Sequence, residues 1–150
     1  MLVYRIGRIK FAGELTGEGA RLYGGRWNHK LVPCIYTSES RALALLEYTA
    51  NVNIEDIPRA LSVSVFEIPD DRIFEIPLSK LPGNWNLSPA PASARELGSS
   101  LLGTHLIIKI PSAIVADEFN FLLNPGHANS SELRILDIKD FIYNVRIKLK

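Results

Sequence analysis

Hydrophobic and polar positions alternate with a period of two at the start of the chain. Val3, Arg5 and Gly7 interleave with Tyr4, Ile6 and Arg8, which predicts a strand over Leu2 to Ile9. The same alternation recurs from Ala60 to Ile68, with Leu61, Val63 and Val65 on one face and Ser62, Ser64 and Phe66 on the other. Pro33 to Thr37 is a short β-rich run, and Thr104 to Ile110 is a strong strand pattern. Leu133 to Ile138 and Phe141 to Leu149 read as two closing strands, and Glu75 to Leu78 as a shorter strand or turn. Ser38 and Ser40 are candidate N-caps for a helix from about Arg41 to Ala50, apolar on nearly every side and so expected to be buried. Ala92 to Leu102 is a second helical segment. Gly13 to Asn28 and Leu81 to Pro91 read as loops, and Glu118 to Asn129 has turn chemistry around Asn124-Pro125-Gly126. Strands outnumber helices without alternating regularly with them. That predicts a compact α+β domain spanning residues 1–150, not a doubly wound sheet.

Composition narrows the function classes. The chain of 150 residues is 47% hydrophobic and 22% charged, which suits a globular core and not disorder. Its 17 basic and 16 acidic residues leave a formal charge of +1, without the basic surplus of a protein that lives on nucleic acid. A single cysteine, Cys34, excludes an intramolecular disulfide scaffold and reads as a small core residue. No apolar run reaches the ~18 residues of a membrane span, and the first residues lack a signal-peptide pattern, so a cytoplasmic protein is expected.

Familiar motifs fail on the residues that matter. Gly17-Glu18-Gly19-Ala20-Arg21-Leu22 has leucine where a dinucleotide fingerprint needs its third glycine. Gly19 and Gly24 have P-loop spacing but are followed by Gly25-Arg26. His29, His105 and His127 have no ligand-like spacing, so no metal site is expected. A Gly-x-Ser-x-Gly elbow is absent.

A few residues look out of place. Glu47 has no cation three or four positions away on its helix, so it either lies on an exposed edge or finds a partner elsewhere. Arg26 sits in Tyr23-Gly-Gly-Arg-Trp-Asn28, either an ordinary turn or a guanidinium brought close to an anion by two glycines. Arg5, between apolar residues, is an edge-strand residue or needs an anion. Tyr36 is a core tyrosine or a stacking surface, and Ser112 is a turn serine or a polar site residue. Asn120, Asn124 and His127 are ambiguous in the same way.

Taken together, these segments resemble the RES-domain family, the toxins of bacterial RES–Xre toxin–antitoxin systems. The resemblance runs collinearly through Tyr4-Arg5-Ile6, Gly17 to Asn28, Ile35-Tyr-Thr-Ser38, Ala42 to Glu47, Ile110-Pro-Ser-Ala-Ile-Val115 and Phe119 to Pro125. It implies a compact fold like that of ADP-ribosyltransferases, with short twisted sheets and flanking helices. It also implies breakdown of NAD+ at the nicotinamide–ribose bond, with water or phosphate as acceptor. By that resemblance Glu47 is the catalytic glutamate, and Arg26 holds the phosphates or ribose. Tyr36 stacks on nicotinamide, Arg5 is a pocket arginine, and Ser112 matches the family's Pro-Ser. NAD+ is then a substrate and no further cofactor is expected. An Xre-like helix-turn-helix antitoxin is the implied partner, carrying any DNA contact, and a homodimer is a further family expectation. A protein-directed ADP-ribosyltransferase and a non-catalytic binding module are the alternatives. The segment His29-Lys30-Leu31-Val32 departs from the small or glycine-containing turn expected after Trp27-Asn28.

Overall fold

The computed structural model describes residues 1–148. Seven strands form one mixed sheet: β1 (Leu2–Gly7), β2 (Ile35–Ser38), β3 (Ala60–Glu67), β4 (Ile73–Glu75), β5 (Ile107–Pro111), β6 (Phe119–Leu123) and β7 (Arg134–Ile142). Their order is β4-β5-β6-β2-β1-β3-β7, and only the β4–β5 pair is parallel. Three helices accompany them: α1 (Glu18–Tyr23), α2 (Arg41–Asn51) and α3 (Ala92–Leu102). The α+β class follows, with the strands joined in one continuous sheet. Among the described residues no helix is long and apolar enough to cross a membrane.

Strand alternation assigns the two faces of the sheet. On one face Ile6, Leu61 and Val63 pack with Ala44 of α2, with Tyr4, Leu45 and Tyr48 at the margin. Farther along that face Ile108, Ile110 and Leu122 pack with Ala94 and Leu102 of α3. The opposite face carries Val3, Ile35, Phe66, Phe121 and Leu123, closed over by Ile68, Leu106 and Leu133.

Four local expectations change. The glycine-rich segment contains α1: Gly17 and Gly24 bound the helix, and only Gly19 lies within it. Gly17 precedes it at φ +67°, and Gly24 follows at φ +71°. A Cβ on Gly17 would stand 2.7 Å from the Cys34 nitrogen, so glycine is required there on two counts. Phe119–Leu123 is a strand in the middle of the sheet and not part of a turn region, paired with β2 on one side and β5 on the other. The two closing strands are one edge strand, β7, which stays polar at Asp137, Lys139 and Asp140 because only β3 pairs with it. It is followed by a 3-10 turn at Val145–Ile147, and Leu149 lies outside the described residues. Finally, α2 is only half-buried. Leu43 and Ala44 are inside, but Leu46 is 40% exposed, since the sheet covers only one side of the helix. Ser40 is its N-cap, accepting from the Leu43 N–H at 3.0 Å.

Candidate active site

Glu47 lies on the second-last turn of α2, half-buried above the sheet. Its Oε1 accepts two hydrogen bonds: from Ser112 Oγ at 2.8 Å and from Asn120 Nδ2 at 2.6 Å. No protein group among the described residues bonds to Oε2. Ser112 follows β5 directly and is 3% exposed. Its Oγ accepts from the N–H groups of Ile114 (3.0 Å) and Val115 (3.1 Å). Asn120 lies on β6 opposite Ser38 of β2, and Ser38 Oγ donates to Asn120 Oδ1 at 2.7 Å. Three strand ends and one helix therefore converge on a single carboxylate.

Two residues before Ser38, on the same face of β2, stands Tyr36. Its hydroxyl accepts from the Trp27 N–H at 3.0 Å and donates to Asn28 Oδ1 at 2.6 Å. Burial, with the nearby Cys34 a smaller contribution, pushes this phenol well above its ordinary value of 10, so it stays neutral. Tyr36 can offer a ring and a fixed dipole but no proton chemistry. The loop that meets it is held from both sides. A Cβ on Gly25 would stand 2.6 Å from Tyr36 Oη, and one on Gly98 of α3 would stand 1.9 Å from the Trp27 carbonyl oxygen. Asn28, fully buried, donates to the carbonyls of Ala20, His29 and Val32.

Arg26 leaves this loop toward residues 85–87, where its Nη1 donates to the carbonyls of Trp85 (3.0 Å) and Leu87 (2.6 Å). Trp85 in turn stacks on Trp27, with centroids 6.0 Å apart. Arg26 lines a cleft of about 440 Å³ with Tyr23, His29, Lys30 and Arg95. The charged side chains of that lining are all cationic, which suits an anionic ligand.

Arg5 is not brought to this cluster. Its neighbours Tyr4 and Ile6 face α2, so Arg5 projects from the opposite face. There its Nη2 donates to the carbonyls of Phe11, Ala12 and Glu14 at 3.1–3.2 Å, and the guanidinium lies 5.0 Å over the Phe66 ring. It closes the 8–14 loop. Asn124 and His127 likewise tie turns together. Asn124 donates to the Leu102 and His105 carbonyls, and His127 Nδ1 accepts from the Asn129 N–H. Cys34 is buried in the α3 core, and burial pushes its thiol up, away from the nucleophilic thiolate. Among the described residues no cluster of three or more His, Cys, Asp or Glu could hold a metal ion.

The sequence marks Glu47 and Ser112 and leaves Asn120 ambiguous. Ser38 stands out as a cap candidate and as the end of the Ile35-Tyr-Thr-Ser38 segment. The missing signal was β6: once Phe119–Leu123 is a strand, Asn120 must share a face with Leu122, toward the helices.

Comparison with known proteins decides the family, because the RES-domain model matches residues 2–144. The chain belongs to the RES-domain family. A Toxin Res from Yersinia enterocolitica is 34% identical over 99% of this chain and 100% of that relative. Another Toxin Res, from Photorhabdus laumondii, is 36% identical over 83% of this chain and 82% of its own length. A Prs ADP-ribosylating toxin from a Sphingobium species is 30% identical over 91% and 88%. This RES-domain protein is thus a toxin by family. Its fold matches a chain of the Mycobacterium tuberculosis MbcT–MbcA toxin–antitoxin complex at a TM-score of 0.75, with 18% identity, covering 94% of this chain and 84% of that one.

Proposed function

We propose that this RES-domain toxin consumes NAD+ by cleaving the nicotinamide–ribose bond. The observation that carries the reading is Glu47: a carboxylate on a rigid helix, held on one oxygen by Ser112 and Asn120, with the other oxygen free. Nicotinamide departs by taking the electron pair of the C1′–N bond, which neutralises its ring. The ribosyl carbon is left as an oxocarbenium ion, as in glycoside cleavage. A fixed anion beside that carbon stabilises the developing charge. Water then adds to C1′ and loses a proton, giving ADP-ribose. Tyr36 offers a ring that cannot ionise in the working range. Arg26, in its cationic cleft, fits the pyrophosphate and supplies orientation. Nicotinamide release by the purified protein, lowered about 1000-fold by Glu47→Gln in a folded variant, is the expected result. Release at the normal rate by that variant would sink the assignment.

A second reading has a specific observation behind it, the ADP-ribosylating Sphingobium relative. The same carboxylate would then serve transfer of ADP-ribose to a protein. Leu45 stands two residues before Glu47, where such enzymes carry an acid or glutamine to activate the acceptor, and this favours water. Label from NAD+ found free as ADP-ribose supports hydrolysis, label fixed to protein supports transfer, and ribose-1-phosphate-type product would name phosphate as acceptor. We place the activity in the cytoplasm, restrained by an Xre-like helix-turn-helix antitoxin. Co-purification of a small helical DNA-binding protein is the expected outcome, and tolerated expression of the active toxin alone would contradict it.

A further inference from the structure

We infer that Asn120 is the positioning residue of this site. It commits Oε1 of Glu47 to the protein, leaving Oε2 to meet the substrate. The inference rests on the NAD+-cleavage reading and deepens it, giving Asn120 a role in fixing the direction of the carboxylate.

A glutamate on a half-buried helix face has three side-chain torsions, and its two oxygens are chemically equivalent until something distinguishes them. Here two donors fall on the same oxygen. Each has its direction enforced from behind. A serine hydroxyl has one proton and two acceptor lone pairs. The N–H groups of Ile114 and Val115 occupy both acceptor positions of Ser112 Oγ, so its proton is left for Glu47 alone. An asparagine amide can present either end. Ser38 Oγ donates to Oδ1 of Asn120, so the N–H end faces Glu47, and turning the amide over would set oxygen against oxygen. Asn120 itself sits between Ser38 and Ile110 in the register of a central strand, where its backbone has no freedom to drift.

The consequence for the reaction is directional. Rotating the Glu47 carboxylate by half a turn exchanges equivalent oxygens, but an intermediate rotation of a quarter turn loses both charge-assisted bonds at once. The free oxygen is therefore held on one bearing. Holding an anion in place before charge develops is what makes it effective against an oxocarbenium ion. Asn120 acts through Glu47 and need not touch the substrate.

Nicotinamide release as a function of NAD+ concentration tests this, with Tm measured on each variant. Asn120→Asp keeps the shape, removes the donor and sets a second carboxylate against the first. We expect kcat to fall about 100-fold with KM within about twofold, the split expected for an interaction that matters in the transition state, while Tm falls with the repulsion between the two carboxylates. Asn120→Ala is expected to lose about tenfold in kcat. Ser38→Ala removes only the amide's anchor and should lose about threefold. It carries the test if the Asn120 variants do not fold. In a Glu47→Gln background, Asn120→Ala should cause no further loss, because the residue through which it acts is gone. Normal kcat in the folded Asn120 variants overturns the inference. So does normal kcat in Ser38→Ala, or a loss that is the same size in the Glu47→Gln background. If wild type and Glu47→Gln behave as proposed but Asn120→Ala matches wild type, this inference alone fails. If the folded wild-type protein releases no nicotinamide, both fail.

Discussion

Arg5 and Glu47 are charged side chains set into apolar elements on opposite faces of one sheet, and each has found partners. The difference lies in what is left over. Three backbone carbonyls, an aromatic ring and the Glu14 carboxylate at 3.9 Å surround the Arg5 guanidinium, and together they shape a loop. Glu47 takes two donors on one oxygen and keeps the other free. A buried charge whose capacity is absorbed by the fold serves stability. A charge held firmly on one side and left open on the other is equipped to act on something else.

Substitutions should separate these roles cleanly. The largest effect is expected at Glu47: Glu47→Gln keeps both neighbours within reach and should lower nicotinamide release about 1000-fold, with Tm shifted by little. Arg26→Ala should cost about 100-fold in kcat/KM, mostly in KM if it holds the pyrophosphate, as seen in the NAD+ concentration dependence. Arg5→Met should show the reverse pattern. It removes a donor from three carbonyls, of which Phe11 keeps the Glu14 N–H and Ala12 keeps Ser64 Oγ, and it breaks the ion pair with Glu14; the cost should be about 2 kcal/mol in urea unfolding, with kcat/KM of the folded protein unchanged. A large loss of activity at constant stability in Arg5→Met would erase the distinction between the two faces.

The smallest effect concerns pH. Burial raises Tyr36 above its value in the unfolded chain, so above about pH 10 the native protein retains a proton the unfolded chain has lost. Stability from this residue is present below pH 10 and falls as pH rises past it. The buried Cys34 thiol has the same sign, with its loss beginning near the ordinary cysteine value of about 8.5. Urea midpoints measured from pH 8 to 11 should decline in the wild type and decline less in Tyr36→Phe and in Cys34→Ala.

Much of this was legible in the sequence because several elements obey local rules. The alternation at Leu61 to Phe66 assigns both faces of β3, the Ser40 cap starts α2, and Ala92 to Leu102 is the helix it appears to be. The absence of an intrahelical partner leaves Glu47 either on an exposed edge or paired from elsewhere, and Ser112 and Asn120 decide for the second. What the sequence hid was set by tertiary context. Helix α1 has only six residues, too few to be stable alone, and is held by contacts such as Asn28 on the Ala20 carbonyl. Strand β6 is buried between two neighbours, so it carries no polar alternation to announce it, and the adjoining Asn124-Pro125-Gly126 suggests a turn. Missing β6 concealed the pairing of Asn120 with Ser38. The position of Arg5 is the instructive case. Its alternation with Tyr4 and Ile6 is visible in the sequence, but which face meets α2 is decided only when the sheet is assembled.

The most direct measurement is a chromatographic time course of NAD+ with the purified wild-type protein and Glu47→Gln, both shown to be folded. The account predicts that the wild type converts NAD+ to equal amounts of nicotinamide and ADP-ribose while Glu47→Gln consumes almost none in the same time. Equal consumption by both proteins, or intact NAD+ with both, would contradict it.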